Sequence, residues 1–319
     1  MPILTITDAH TGSTARIAPE LGFNCFEFRA MVGGRPVDVL DAAPGFDAGG
    51  LRPSGSGIPI LFPFPNRIRA GQFAWKGQEF SLSNTVGDKF GNATHGLCLD
   101  RPWRVTAKGD DFVSGQFQLS VDAPDRLAMW PTDFVIEVDY ELVHNRLRAN
   151  FRIGNPSDKS LPWGLGTHPY FKLPLGEGSR IENCLIEAPC AQRWELVDCL
   201  PTGNLLELDE DFDLRDGAYV NTVKLDDVYT TVLCEGPQFD CLIVDERAGL
   251  QVTLTSPPIF REIVAFTPPN RAAVCLEPYT CPTDAINLTA RGIDCGWRTL
   301  GPGSEFHTWL DITAGPVLA

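Results

Sequence analysis

From Phe134 to Ile153 the chain alternates apolar and polar residues with a period of two, twice in succession, and no other feature constrains its fold as tightly. Phe134, Ile136, Val138, Tyr140 and Leu142 share one face of the first run, and Glu137, Asp139 and Glu141 share the other. After His144-Asn145, the residues Leu147, Ala149, Phe151 and Ile153 alternate with Arg146, Arg148, Asn150 and Arg152. Successive side chains of an extended strand point to opposite faces. Each run therefore predicts a half-buried strand, and the two together predict a hairpin closed at His144-Asn145. The acidic face of one strand then lies beside the basic face of the other, which favours this register modestly. Asn155-Pro156-Ser157-Asp158 ends the second strand.

Shorter runs of the same kind predict strands at 4–7, 25–29, 72–75, 116–121, 232–234, 242–245, 251–255, 273–277 and 308–312, and a hairpin over 71–82 around Lys76-Gly77. The 30 glycines and 26 prolines punctuate the chain every few residues, and no long helical periodicity survives between them. No linker, repeat or low-complexity tract interrupts the series. Strands at this spacing predict an all-β fold, a large antiparallel β-sandwich, with residues 1–319 as one domain. A chain of 319 residues that is 43% hydrophobic is large enough to bury a core without staples.

The formal net charge of −15 comes without any basic run, so phosphate backbones and anionic membranes are repelled. Nucleic acid is excluded as a partner and a neutral small molecule is favoured; a strongly anionic ligand would need a dedicated basic pocket. Gly33-Gly34 is a turn, and neither a G-x-G-x-x-G nor a Walker A pattern occurs. The ten cysteines are scattered without a C-x-x-C pair, which argues against a zinc site and for free, buried thiols in a reducing compartment. Met1-Pro2-Ile3-Leu4-Thr5-Ile6-Thr7-Asp8 lacks the basic and apolar regions of a signal peptide, and no run reaches the ~18 apolar residues of a membrane span. The expectation is a soluble, cytoplasmic protein, monomer or homodimer, with no membrane partner.

Five histidines are available: His10, His95, His144, His168 and His307. His10 and His144 read as solvated, and His307, placed just before the last strand, has no evident partner. His95 lies among small residues in Asn92-Ala93-Thr94-His95-Gly96. His168 lies in Trp163-Gly164-Leu165-Gly166-Thr167-His168-Pro169-Tyr170-Phe171, where glycines allow close backbone approach and aromatic rings offer a stacking surface for a sugar. Each of these two reads equally as a hydrogen-bonded core histidine. Glu277 follows an apolar strand and precedes Pro278, a position for either a general base or a salt-bridge partner. Asp226 and Asp227 in Leu225-Asp226-Asp227-Val228-Tyr229 read as a solvated turn. Arg67, in the stiff apolar setting Phe62-Pro63-Phe64-Pro65-Asn66-Arg67-Ile68, is either pre-positioned to donate to hydroxyls or packed along its stem with its head in water.

Taken in order, these segments resemble the aldose 1-epimerase (mutarotase) family. The matching runs are Gly57-Ile58-Pro59-Ile60-Leu61-Phe62-Pro63-Phe64-Pro65-Asn66-Arg67-Ile68, Thr94-His95-Gly96, Thr167-His168-Pro169-Tyr170-Phe171, Leu225-Asp226-Asp227-Val228-Tyr229 and Leu276-Glu277-Pro278-Tyr279-Thr280-Cys281-Pro282-Thr283-Asp284-Ala285-Ile286-Asn287. The resemblance implies the galactose mutarotase-like sandwich with an open cleft, Glu277 as general base and His168 as general acid. Arg67, Asn66, His95 and Asp226 would bind sugar hydroxyls, and neither cofactor nor metal would be needed. Ala93 stands where a second histidine is common, and Asp227 where a histidine is common, so the choice between Asp226 and Asp227 stays open. The implied reaction exchanges α and β anomers of an aldose through the open-chain aldehyde. Burial of Glu277 would raise its pKa toward neutrality, and a carboxylate near His168 would keep the imidazole protonated. Trp163, Tyr170 and Phe64 are the candidates to stack on the ring. Hexose-6-phosphate 1-epimerase, a non-catalytic carbohydrate-binding protein and a lyase or glycoside hydrolase on a similar sandwich are the competing readings.

Overall fold

The alternation first read at Phe134 to Ile153 forms the middle of a nine-stranded antiparallel sheet. In this computed structural model, which describes residues 2–83 and 85–317, Val135–Val143 pairs with Arg146–Gly154 over their full length, through a turn in which His144 takes a positive φ of 55°. Met1, Asn84, Leu318 and Ala319, part of the span read as one domain, lie outside the described residues. Arg152 sits opposite Glu137 and donates from Nε to Oε2 at 2.6 Å. Arg148, opposite Glu141, turns instead to Asp311 on its other neighbour, at 2.7 and 2.6 Å, because a bidentate carboxylate is offered there. That neighbour is the final strand, Glu305–Pro316, which links the hairpin to Leu250–Ser256 and Phe239–Asp245.

A second antiparallel sheet of eight strands runs through Leu200–Glu207, Cys190–Val197, Asp226–Val232, Glu262–Phe266, Ala273–Tyr279, Gly166–Thr167 and Ile60–Leu61, with Tyr170–Lys172 also paired to Ala273–Tyr279. The inward faces of the two sheets merge in one apolar core that includes Ile136, Val138, Phe151, Leu254 and Ile312 from the first and Ile263, Ala265, Val274 and Leu276 from the second. The all-β antiparallel sandwich expected from the sequence is thus the architecture found. Among the described residues no helix is long and apolar enough to cross a membrane.

The period of two also decides where chemistry can happen. In the eight-stranded sheet, Ile263, Ala265, Val274 and Leu276 point into the main core, so Glu262, Val264, Phe266, Cys275, Glu277 and Tyr279 point out of the opposite face. Part of that outer face is sealed by a second apolar cluster around Trp194, Val228, Val264, Tyr279 and Leu288. The unsealed part is open to a ligand.

Two local expectations change. The run 116–121 does not stay extended. The strand Phe112–Gln118 gives way to a helical turn, Leu119–Asp122, because the Asp122 carboxylate accepts the Gln118 N–H at 2.7 Å and Asp133 takes the Ser120 N–H at 2.9 Å. Asp226 and Asp227 begin a strand, Asp226–Val232, rather than a turn, so 232–234 is that strand's exit. His307 lies within the last strand, with Nε2 3.6 Å from Glu305 Oε2. All ten cysteines carry free thiols, eight of them buried.

Candidate active site

Three backbone devices converge on the open part of the outer face. The short strand Arg67–Ile68 pairs with Ala93–Thr94, and the His95 N–H donates to Asn66 O at 2.7 Å, with both Asn66 and His95 at positive φ. Gly96, at φ +83°, lies so close to Phe62 that a Cβ would come within 2.1 Å of its carbonyl oxygen; only glycine lets the chain turn there and aim His95. Gly166–Thr167 bridges Tyr279 and Ile60, which delivers His168 beside the strand that carries Glu277.

The result is a cavity of about 200 Å³ whose lining includes Asn66, Arg67, His95, His168, Asp226 and Glu277. All six residues singled out from the sequence therefore meet in one place. His168 Nε2 lies 3.3 Å from Glu277 Oε1. The Tyr279 hydroxyl donates to Glu277 Oε2. His95 meets His168 edge to face at 5.7 Å, and Tyr170 stacks flat on His168 at 4.8 Å. Arg67 is held by two acceptors, Asp88 Oδ2 at 2.9 Å from Nε and Asn66 Oδ1 at 2.8 Å from Nη1. Among the described residues its remaining N–H groups have no hydrogen-bond partner. The Nδ1 atoms of His95 and His168 are buried without a hydrogen-bond partner among the described residues.

Asp226 and Asp227 separate cleanly. Asp226 is exposed and lines the cavity, whereas Asp227 points to the other face and pairs with Arg193 at 3.3 Å. Of the aromatic residues considered for stacking, Trp163 and Phe64 belong to the main core, each 1% exposed, and do not reach the cavity; Tyr170 does, and Phe266 joins it. Sequence reasoning passed over Arg52, Ser54, Val264, Phe266 and Tyr279. The signal for Tyr279 was present, since a residue two positions from Glu277 on a strand shares its face. Arg52 gave none: it stands in Arg52-Pro53-Ser54-Gly55-Ser56, a loop without periodicity, where its Nε donates to Ser54 Oγ at 2.9 Å.

Burial dominates the electrostatics. It pushes the Glu277 carboxyl well above its ordinary range, with the Tyr279 hydrogen bond opposing that rise. Burial also holds His168 down at about 3, and His95 well below 6.5, the latter helped by the neighbouring His168, Arg52 and Arg67. Burial thus works against the protonated His168 expected from a neighbouring carboxylate. The 3.3 Å contact has the geometry of an ion pair, but desolvation disfavours the charged form of each partner. This arrangement positions a one-proton acid–base pair under a ring of fixed hydrogen-bond donors.

The chain also matches known proteins in sequence and in fold. Residues 51–313 match the model of the family described as aldose 1-epimerase. The chain is 25% identical over 238 residues to the uncharacterized protein YihR of Escherichia coli K12, covering 74% of this chain and 72% of that protein. It is 24% identical over 199 residues to the plasmid protein LacX of Lactococcus lactis, covering 62% and 61% respectively. In structure it is similar to a galactose mutarotase-like protein of Clostridium acetobutylicum, with a TM-score of 0.83 at 22% identity over 96% of this chain and 94% of the other. It is likewise similar to the GalM/aldose epimerase homologue of C. elegans, with a TM-score of 0.80 at 19% identity and 99% coverage of both. With the match spanning most of the sequence and the same sandwich recurring in these structures, the chain belongs to the aldose 1-epimerase family.

Proposed function

We propose that this protein is a mutarotase: it interconverts the α and β anomers of an aldose by acid–base ring opening and closure. The observation that supports this reading is the Glu277–His168 pair, 3.3 Å apart, in a cavity whose lining includes the donors Arg67, Asn66 and His95 and the acceptor Asp226. Glu277 takes the proton of the anomeric hydroxyl while His168 protonates the ring oxygen; the C1–O5 bond breaks and the aldehyde forms. Rotation about C1–C2 presents the other face, and ring closure reverses both transfers. The pair holds one proton throughout, and moving it from Glu277 to His168 creates the carboxylate and imidazolium that ring opening needs. Arg67, Asn66, His95 and Asp226 hold the sugar in one pose. No electron changes hands, so the chemistry calls for no cofactor. On this reading residues 1–319 act as one cytoplasmic domain in sugar metabolism.

Exchange NMR of α/β interconversion over a panel of aldoses tests the proposal directly. The expected result is accelerated exchange for at least one sugar. A sugar that binds without accelerated exchange would instead support a carbohydrate-binding protein on this fold.

One observation favours a second reading, a hexose-6-phosphate 1-epimerase. Arg52 lines the cavity, and among the described residues it makes no ion pair, while Asp227, which would repel an anion, is turned away and neutralised by Arg193. Comparing glucose with glucose 6-phosphate in the same exchange assay decides between the two.

A further inference from the structure

We infer that Tyr279 is a positioning residue for the reaction proposed above: its hydroxyl holds one carboxylate oxygen of Glu277 so that the other faces His168 and the sugar. The inference rests on the reading of Glu277 as base. Glu277 has two oxygens and the geometry divides them. Oε2 accepts the Tyr279 hydroxyl, and Oε1 is the atom 3.3 Å from His168 Nε2. A carboxylate free to rotate would spread its lone pairs over many orientations; one tethered oxygen leaves a single productive one.

The tether is itself immobile. Tyr279 is fully buried in the second apolar cluster with Trp194, Val264 and Leu288. Its ring lies against Gly166, where an added Cβ would come within 2.4 Å of Tyr279 Cδ1, so the glycine next to the His168 segment is the space the ring occupies. The strand end is tied on both sides by Leu165, whose N–H donates to Thr280 Oγ1 at 2.9 Å and whose carbonyl accepts the Thr280 N–H at 2.8 Å.

The phenol also sets the charge balance of the base. Burial lifts the Tyr279 pKa well above 10, with the Glu277 charge adding to the rise, so it remains a donor at every working pH. Its hydrogen bond favours the ionised carboxylate and so opposes the burial that raises Glu277. The other groups facing this carboxylate are His168 from the Gly166–Thr167 end, Tyr170 and Cys275 behind it, Asp226 across the cavity, which raises Glu277, and Arg67, which lowers it. None of these occupies Oε2.

The test is the pH dependence of kcat/KM for anomer exchange, measured by NMR on the best substrate among D-galactose, D-glucose and glucose 6-phosphate. It compares wild type, Tyr279→Phe, Glu277→Gln and a protein carrying 3-fluorotyrosine in place of Tyr279. Losing a hydrogen bond to a charged group moves the limb set by Glu277 ionisation up by about one to two pH units in Tyr279→Phe. The fluorinated phenol is a stronger donor of nearly the same shape, so its limb moves the opposite way. Should Tyr279→Phe fail to fold, the fluorinated protein alone decides. Glu277 limbs that superimpose on wild type in both Tyr279 variants, with Glu277→Gln inactive, overturn the positioning role and leave the base in place. A fully active Glu277→Gln overturns the base itself.

Discussion

Two buried glutamates stand on neighbouring strands of the eight-stranded sheet, and they have opposite fates. Glu262 pairs across the ladder with Tyr279, and Val264 with Glu277, so both carboxyls leave the same outer face one pleat apart. Both are essentially inaccessible, at 0% and 1% exposure. Burial drives both pKa values upward, that of Glu262 to about 8. Their surroundings differ. Glu262 lies under the second apolar cluster, accepts from Trp194 Nε1 at 2.9 Å, and has Arg261 Nε 3.3 Å away. Glu277 opens on a cavity, with an imidazole at one oxygen and a phenol at the other. A buried carboxyl with a perturbed pKa is thus no sign of catalysis by itself; the access of a ligand to one of its oxygens is what separates a reactive acid from a structural one.

The largest effect expected from this contrast is on activity. Glu277→Gln keeps shape and removes the proposed base, so exchange should fall by roughly 10²–10⁴-fold. Glu262→Gln should leave exchange within a few-fold of wild type. Parallel exchange assays check both, and equal losses in the two variants would erase the distinction drawn here.

Stability should register Glu262 even though activity does not. Glu262 keeps its proton in the folded chain up to about pH 8, whereas the unfolded chain releases it near its ordinary value of 4.5. A folded pKa raised in this manner contributes stability that is complete below about 4.5 and is lost as pH climbs through about 8. Urea midpoints should therefore decline between pH 5 and 9, by an amount on the order of a few kcal/mol from this group. Glu262→Gln should flatten much of that decline. A slope unchanged in the variant would mean that water reaches Glu262 and that its seal is imperfect.

The contrast also marks how far the sequence could be read. Glu277 was legible because it follows an apolar run and precedes Pro278, and because its segment resembles that of the family. Glu262 was not, because its strand, Glu262-Ile263-Val264-Ala265-Phe266, is apolar on both faces and so loses the period-two signature. The hairpin at 134–153 was legible to within one residue at each end, since one of its faces meets water. For His168 the family resemblance suggested a carboxylate partner, but the desolvation that lowers its pKa belongs to the packed structure alone. Arg52 shows the same limit, as a loop residue acquires its role only from where the sheets leave room.

The smallest effect tests the contrast between two residues adjacent in sequence. Asp226 and Asp227 occupy opposite faces of one strand, the first opening to the cavity and the second bound to Arg193. Asp226 raises the Glu277 pKa. Removing its charge in Asp226→Asn should therefore move the limb of kcat/KM set by Glu277 ionisation toward lower pH, opposite in sign to Tyr279→Phe, and raise KM several-fold through the lost acceptor. Exposure to water screens this charge, which keeps the shift well under that of the buried phenol. Asp227→Asn should change neither, because its partner Arg193 remains packed over the Phe212 ring at 3.7 Å and faces away from the sugar. Measuring both profiles settles which aspartate serves the site: a limb that moves in Asp227→Asn and stays in Asp226→Asn would reverse the assignment and with it the face of the strand on which the sugar lies.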